Sequence, residues 1–187
     1  TSLSKKISLN AGLRMENTSS SAKLISQVAV KNNDVTRNYT NLFPNVSISF
    51  NNKKNSEFSL SVGRRISRPN YQDLNPFEFK LNEYTFMKGN TQLRPQYTNS
   101  FGVTNIYKYK LTTTINYSRV NDIFAQVPDT IDKTKGFLTK KNLATQDVFS
   151  LSIGYPFQYK WYSFYSSLNS NYSHYKADFG GGDRKVD

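Results

Sequence analysis

Few side chains in this sequence have the type and spacing needed to make or break bonds. The single histidine, His174, stands among Tyr172, Ser173 and Tyr175, with no second histidine and no cysteine to complete a transition-metal site. Asp122, Asp129 and Asp132 could offer carboxylates to calcium, but their spacing lacks the alternating acids, turn glycine and closing glutamate of a calcium loop. The Gly180–Gly182 run leads into Asp183 and Arg184 rather than into a helix, so it makes no phosphate cradle. No G-x-S-x-G, H-E-x-x-H or G-x-x-x-x-G-K-[ST] occurs. The expectation is therefore no enzyme: no catalytic residue, no metal site and no cofactor. The remaining chemistry is cationic and aromatic, and it depends on the scaffold that holds it.

That scaffold must be built from an unusually polar chain. Asn, Ser and Thr supply 58 of 187 residues, the hydrophobic fraction is 36%, and the mean hydropathy is -0.65. Disorder does not follow, because 13 Tyr and 13 Phe are too many for a chain with nothing to bury. No stretch approaches the ~18–20 consecutive apolar residues of a membrane helix. The opening TSLSKKISLN also lacks a signal-peptide core.

What recurs is a period of two. Ile7, Leu9, Ala11, Leu13 and Met15 alternate with polar or small residues, and so do Val46, Ile48, Phe50 and later Phe58, Leu60, Val62. The pattern returns through Phe101 and Val103, through Leu111, Ile115 and Tyr117, through Phe149, Leu151 and Ile153, and finally through Tyr162, Phe164, Leu168 and Tyr172. It predicts an all-β chain: an antiparallel up-and-down meander of about seven long strands, near 5–16, 43–51, 57–67, 97–108, 110–120, 145–155 and 160–173. No helical stripe is present. A length of ~9–11 residues is what a tilted strand needs to cross a bilayer.

The connections are alternately long (17–42, 68–96, 121–144) and short (51–56, 108–110, 156–160). A meander does this when its two ends face different environments, as in outer-membrane barrels with short turns on one side and long loops on the other. Tyr107, Tyr109, Tyr155, Tyr159, Trp161 and Tyr162 gather at the short turns, where an interfacial aromatic girdle belongs. Apolar faces then point to lipid and Ser/Thr/Asn faces to a wet lumen, which reconciles the polar composition with a membrane protein.

Residues 62–77 read VGRRISRPNYQDLNPF and residues 88–97 read KGNTQLRPQY. These segments resemble the TonB-dependent receptors and related outer-membrane β-barrel proteins. In that family a strand ends in R-R-x-x-R-P-x-Y-x-x-L-N-P-F, and G-N-P-x-L-x-P-E precedes re-entry into the barrel. Arg64, Arg65, Arg68, Pro69, Tyr71, Leu74, Asn75, Pro76 and Phe77 match the first part, and Gly89, Asn90, Leu93 and Pro95 the second. Thr91 replaces the family's proline and Gln96 its acidic residue.

The resemblance implies residence in the cell outer membrane of a gram-negative bacterium, and nutrient uptake through a barrel of about 22 strands. A plug and an inner-membrane TonB system would supply control and energy from parts of the parent protein outside this chain. Residues 1–187 are accordingly expected to be one partial barrel segment, an internal piece that can self-associate through its edge strands. Ligand contacts for an unidentified nutrient are expected in the long loop after the third strand, at Arg65, Arg68, Tyr71, Asp73 and Asn75.

Charge fits the same picture. The balance of 25 Lys+Arg against 13 Asp+Glu is +12. A nucleic-acid module would set its cations in one stripe interleaved with stacking aromatics. Here they lie in connections and strand ends: Lys31, Arg37, Lys53, Lys54, Arg64, Arg65, Arg68, Lys133, Lys135, Lys140 and Lys141. The expected partners are outer-membrane lipid and lipopolysaccharide phosphates, with no nucleic acid. The alternative reading is a soluble secreted β-sandwich that binds carbohydrate through exposed Trp161 and Tyr162.

Overall fold

The computed structural model describes residues 6–23, 34–52, 55–130, 136–178 and 183–186. Its strands are β1 (Ile7–Lys23), β2 (Asp34–Asn52), β3 (Ser56–Ser67), β4 (Glu78–Lys80), β5 (Thr85–Lys88), β6 (Gln96–Tyr107), β7 (Leu111–Thr130), β8 (Gly136–Tyr159), β9 (Tyr162–Asp178) and β10 (Asp183–Val186). All ten strands belong to one sheet. Seven of them, β1-β2-β3-β6-β7-β8-β9, are the expected antiparallel meander, curled into a half-barrel.

Register explains the curl's two faces. The pairings align Ala11, Val46, Val62, Phe101, Tyr117, Phe149 and Tyr172 in one row. The next row toward the short turns is Leu9, Ile48, Leu60, Val103, Ile115, Leu151 and Ser170. A third runs Ile7, Phe50, Phe58, Asn105, Thr113, Ile153 and Leu168. Shifting by one residue gives the opposite face, on which Ser47, Ser61, Gly102, Asn116, Ser150 and Asn171 form a row of small and polar groups. Thr104 and Thr114 share a hydroxyl hydrogen bond of 3.2 Å on that face.

Among the described residues nothing seals the apolar rows. Leu13 is 68% exposed, Leu168 58% and Ile115 52%, whereas the buried apolar side chains among the described residues are Phe43, Leu93 and Ala177. A two-sheet sandwich would bury its apolar rows between the layers. One sheet with its apolar side outward is a barrel wall, and the sandwich alternative is set aside on that ground. Along each strand the outward apolar stretch covers Ile7–Met15, Leu42–Phe50, Phe58–Val62, Phe101–Tyr107, Leu111–Tyr117, Phe149–Tyr159 or Tyr162–Tyr172. These are the membrane-crossing portions.

Beyond them, at the long-loop end, the strands continue further than periodicity predicts. β1 and β2 stay paired to Lys23 and Asp34, and β7 and β8 to Thr130 and Gly136. The long connections expected at 17–42 and 121–144 thus shrink to 24–33 and 131–135, which lie outside the described residues. The physical reason is that strands past the bilayer have two wet faces. ENTSSSA after Met15 carries no apolar alternation, although its backbone ladder persists.

The short turns are tight. Lys108 and Tyr109 both have positive φ, 49° and 54°, and Lys110 N–H donates to the Tyr107 carbonyl at 3.0 Å, the geometry of a type I′ turn. That turn favours Asn-Gly, because other residues in the left-handed region cost about 1–2 kcal/mol each. Replacing Lys108 and Tyr109 together by Asn-Gly is therefore expected to raise stability by roughly 1–2 kcal/mol, read by urea unfolding of the lipid-reconstituted protein. A loss of stability would mean that the native side chains contribute more than the strain costs.

Candidate functional site

The excursion from β3 to β6, residues 68–95, holds most of the residues singled out in the sequence. It lies on the polar face of the sheet as a strap, fastened to strands on both sides of its point of departure. Arg68 reaches β1, where its guanidinium meets the Glu16 carboxylate at 2.6 Å and the Thr18 hydroxyl at 3.2 Å. Glu16 sits just past the apolar stretch of β1. The Arg68 hydrogen bond, foremost among several influences, holds its carboxyl below the usual carboxylate range.

A short helix follows, α1 (Tyr71–Leu74), although periodicity predicts none. It is set by a capping box: the Asn70 side chain accepts from Asp73 N–H at 2.8 Å, and the Asp73 carboxylate accepts from Asn70 N–H at 3.3 Å. The N-x-x-D spacing was the available signal. Asp73 also pairs with Lys140 of β8 at 2.7 Å. Asn75 turns the chain out of the helix, its side-chain oxygen accepting from Phe77 N–H at 3.1 Å.

The strap then forms the β4–β5 hairpin, and β5 pairs in parallel with the start of β8 through Thr85–Gly136, Phe86–Phe137 and Met87–Leu138. On its return the second motif docks onto the first. Gly89 N–H donates to the Asn75 carbonyl at 2.9 Å and Asn90 N–H to that of Asp73 at 2.7 Å. A Cβ on Gly89 would stand 2.3 Å from Asn75 O and 2.7 Å from Gln72 O, so only glycine permits the approach. The Asn90 amide donates to the Lys140 carbonyl at 2.9 Å. Leu93 is wholly buried, and the Arg37 guanidinium of β2 donates to the carbonyls of both Thr91 and Leu93. Arg94 closes the strap against Asp122 at 2.6 Å, and its backbone exchanges two hydrogen bonds with the Asn142 side chain.

Asp122 is presented by a β-bulge in β7, where the register shifts between Val120 and Ile123 and Asp122 itself has φ 58°. Arg37, Asp122, Lys140 and Asn142 were thus the anchors that sequence periodicity did not reveal as a group. The acids weighed for calcium have cationic partners: Asp122 pairs with Arg94, and Asp129 with Lys141 at 2.6 Å. Asp132 lies outside the described residues, as do Lys31, Lys53, Lys54, Lys133 and Lys135. Arg37 and Lys140 turn toward the strap. His174 pairs in register with Asp147 on the outward face.

Of the five expected ligand contacts, the structure joins Arg68, Asp73 and Asn75 through the strap's own hydrogen bonds and ion pairs. Tyr71 is 77% exposed at the helix start, and Arg65 is exposed on the polar face of β3. Arg65 contributes to a recess of about 790 Å³ with Arg14, Phe43, Asn45 and Ser100 among its walls. A second cavity, about 580 Å³, lies between strap and β8, with Phe77, Phe79, Met87 and Leu138 opposite Lys88 and Gln126. Lys88 is paired with Glu78 at 3.1 Å and Lys140 with Asp73, so this cavity is close to neutral.

At the opposite end, Tyr107, Tyr155, Tyr159 and Tyr162 fall on the outward face and Tyr109 and Trp161 on the turns themselves. Trp161 and Tyr162 meet edge to face with centroids 6.2 Å apart. Lys108 lies over Tyr107 and Lys160 over Tyr159, each 5.4 Å from the ring centroid.

Comparison with known proteins agrees with this geometry. No curated protein matches the chain. Among solved structures, "Copper transporter OprC" superposes with TM-score 0.65 and 15% identity over 94% of this chain and 27% of its own. The siderophore receptor PirA from Pseudomonas aeruginosa gives 0.61 and 12%, over 96% and 35%. The Serratia marcescens hemophore receptor HasR, solved as a double mutant in complex with its hemophore HasA and heme, gives 0.54 and 10%, over 92% and 38%. The chain thus spans roughly a quarter to two-fifths of these structures, and at such identities the likeness is one of fold. The outer membrane protein beta-barrel family matches residues 1–186, and from wall, strap and match together it follows that this chain belongs to that outer-membrane family.

Proposed function

We propose that the chain is a wall segment of a TonB-dependent-type receptor that takes a nutrient across the outer membrane, and that it performs no catalysis. The observation that carries this reading is the strap: an ordered loop docked on the polar face of a lipid-crossing sheet, at the end where long loops face the exterior. The structural neighbours named above, a copper transporter, a siderophore receptor and a hemophore receptor, support the class. In this reading Arg65 and Tyr71 offer free side chains to ligand at the mouth, while Arg68, Asp73 and Asn75 keep the strap in place. Residues 1–187 form one partial segment, the rest of the barrel and its TonB contact being supplied elsewhere in the parent protein. Among the described residues β1 pairs only with β2, so an isolated segment would associate through that edge.

Lipid partners follow from the outward face. The aromatic rings at the short turns form the girdle at the headgroup level. Past the apolar band at the other end, Arg64, Asn99, Arg119, Asp147 and His174 align across five strands. Arg64 stacks on Tyr97 at 4.9 Å and is exposed, which suits a lipopolysaccharide phosphate.

Uptake is testable in cells with and without the gene. Labelled copper, ferric siderophore and heme are offered as a panel, with and without dissipation of the proton-motive force. Loss of accumulation of one of them on deletion, matched by its loss on de-energisation, is the expected result. Accumulation of every ligand unchanged by deletion would remove the uptake reading.

A further inference from the structure

The short-turn end has a charge pattern that neither ligand uptake nor strand pairing requires. Lys6, Lys108, Lys110 and Lys160 are the described cations there, against one carboxylate, Glu57. Glu57 takes a hydrogen bond from Asn51 at 3.5 Å and lies toward the polar face. The turns have no length in which to lift these lysines away from the bilayer. Tyr107 and Leu111 are still outward-facing wall residues, and Lys108–Lys110 is all that joins them. Tyr159 and Tyr162 are likewise joined by Lys160 and Trp161 alone. At the long-loop end, by contrast, β1 and β8 run eight or more residues beyond the apolar stretch. The lysines of the short turns are thus held at headgroup depth, and two of them lie over tyrosine rings that fix their ammonium groups beside the membrane.

We propose that this end is a binding surface for anionic phospholipid, with Lys108, Lys110 and Lys160 taking the headgroup phosphates of acidic lipids in the leaflet that the turns enter. The inference rests on the membrane-crossing orientation argued above and adds a lipid preference to it. Each lysine near a negatively charged surface attracts it appreciably, and the attraction is screened by salt. Rings alone would favour the interface without distinguishing lipid charge.

Trp161 provides the readout, since it is the one tryptophan of this sequence, is 91% exposed and neighbours Lys160. The full-length protein is reconstituted in mixed phosphatidylcholine and phosphatidylglycerol vesicles, with bromine on the acyl chains of only one lipid at a time, at equal mole fractions of brominated lipid. A Trp161→Phe control isolates this residue's emission. Quenching by brominated phosphatidylglycerol is expected to exceed that by brominated phosphatidylcholine several-fold, and to do so less in high salt. Free inorganic phosphate should leave the ratio unchanged, which separates a lipid surface from a phosphate site. In the Lys108→Gln/Lys110→Gln/Lys160→Gln variant the ratio should fall to about one. Equal quenching in the unmodified protein overturns the proposal, including the case in which the lysines serve an acidic protein instead, and needs no variant to fold. Absence of quenching by either lipid would instead overturn the membrane orientation itself.

Discussion

Arginine in place of Val103 is expected to destabilise the reconstituted protein by about 2–4 kcal/mol, the cost of a cation on the lipid side near the bilayer midplane. Val103 lies in the middle apolar row, between Leu60 and Ile115 on the adjacent strands. Its side chain projects away from the polar face that carries Thr104 and Gly102. The contrast is Ser152→Lys on β8, in register with Thr114 and facing the opposite way. There the ammonium enters a wet, small-residue surface and should cost under about 1 kcal/mol, as surface changes usually do. Equilibrium unfolding of the two variants in phospholipid vesicles measures the difference. Similar costs on both faces, or a larger one for Ser152→Lys, would show that the apolar rows do not meet lipid.

Gly89→Ala is the second large effect. The new methyl would collide with backbone atoms only: Asn75 O at 2.3 Å, Asn75 N at 2.7 Å and Gln72 O at 2.7 Å. Neither rotamer change nor side-chain displacement relieves such a contact, so the docking of the two motifs must open. Overpacking costs about 1–3 kcal/mol and occasionally more. Weakening the Gly89–Asn75 and Asn90–Asp73 hydrogen bonds adds about 1 kcal/mol each. The expected outcome is local, with amide exchange and proteolysis across residues 68–95 rising sharply while the wall strands keep their protection. Gly154→Ala serves as comparison. Its methyl would meet the phenol end of Tyr165, which is 67% exposed and can swing aside. If the two alanine variants protect the strap equally well, glycine at position 89 has no structural reason.

The same residues explain what could be read before any coordinates. Leu9, Ile48, Leu60, Val103 and Leu151 announce the wall, because lipid on one face and water on the other impose a period of two at every crossing. That signal stops where the lipid stops, so periodicity assigns Asn17–Lys23 and Gly136–Ala144 to connections although their ladders continue. The strap was visible as a motif and opaque as a structure. Gly89 and Asn75 are adjacent in space through backbone hydrogen bonds, which leave no pattern in side-chain type. Arg37, Asp122 and Asn142 are ordinary polar residues until the sheet brings them to one place. The Asp122 bulge is likewise a property of pairing with β8 rather than of the local sequence.

The strap's fastenings also imply an order of events in biogenesis. Its partners on β8, Lys140 and Asn142, follow it by about 50 residues, and Arg37 precedes it by a similar interval. Contacts so distant along the chain form later than local ones. The fastenings of residues 68–95 to Lys140 and Asn142 therefore cannot close while β6 and β7 are first pairing. They lock only once β8 is in place, which makes the strap a late signature of a correctly assembled wall.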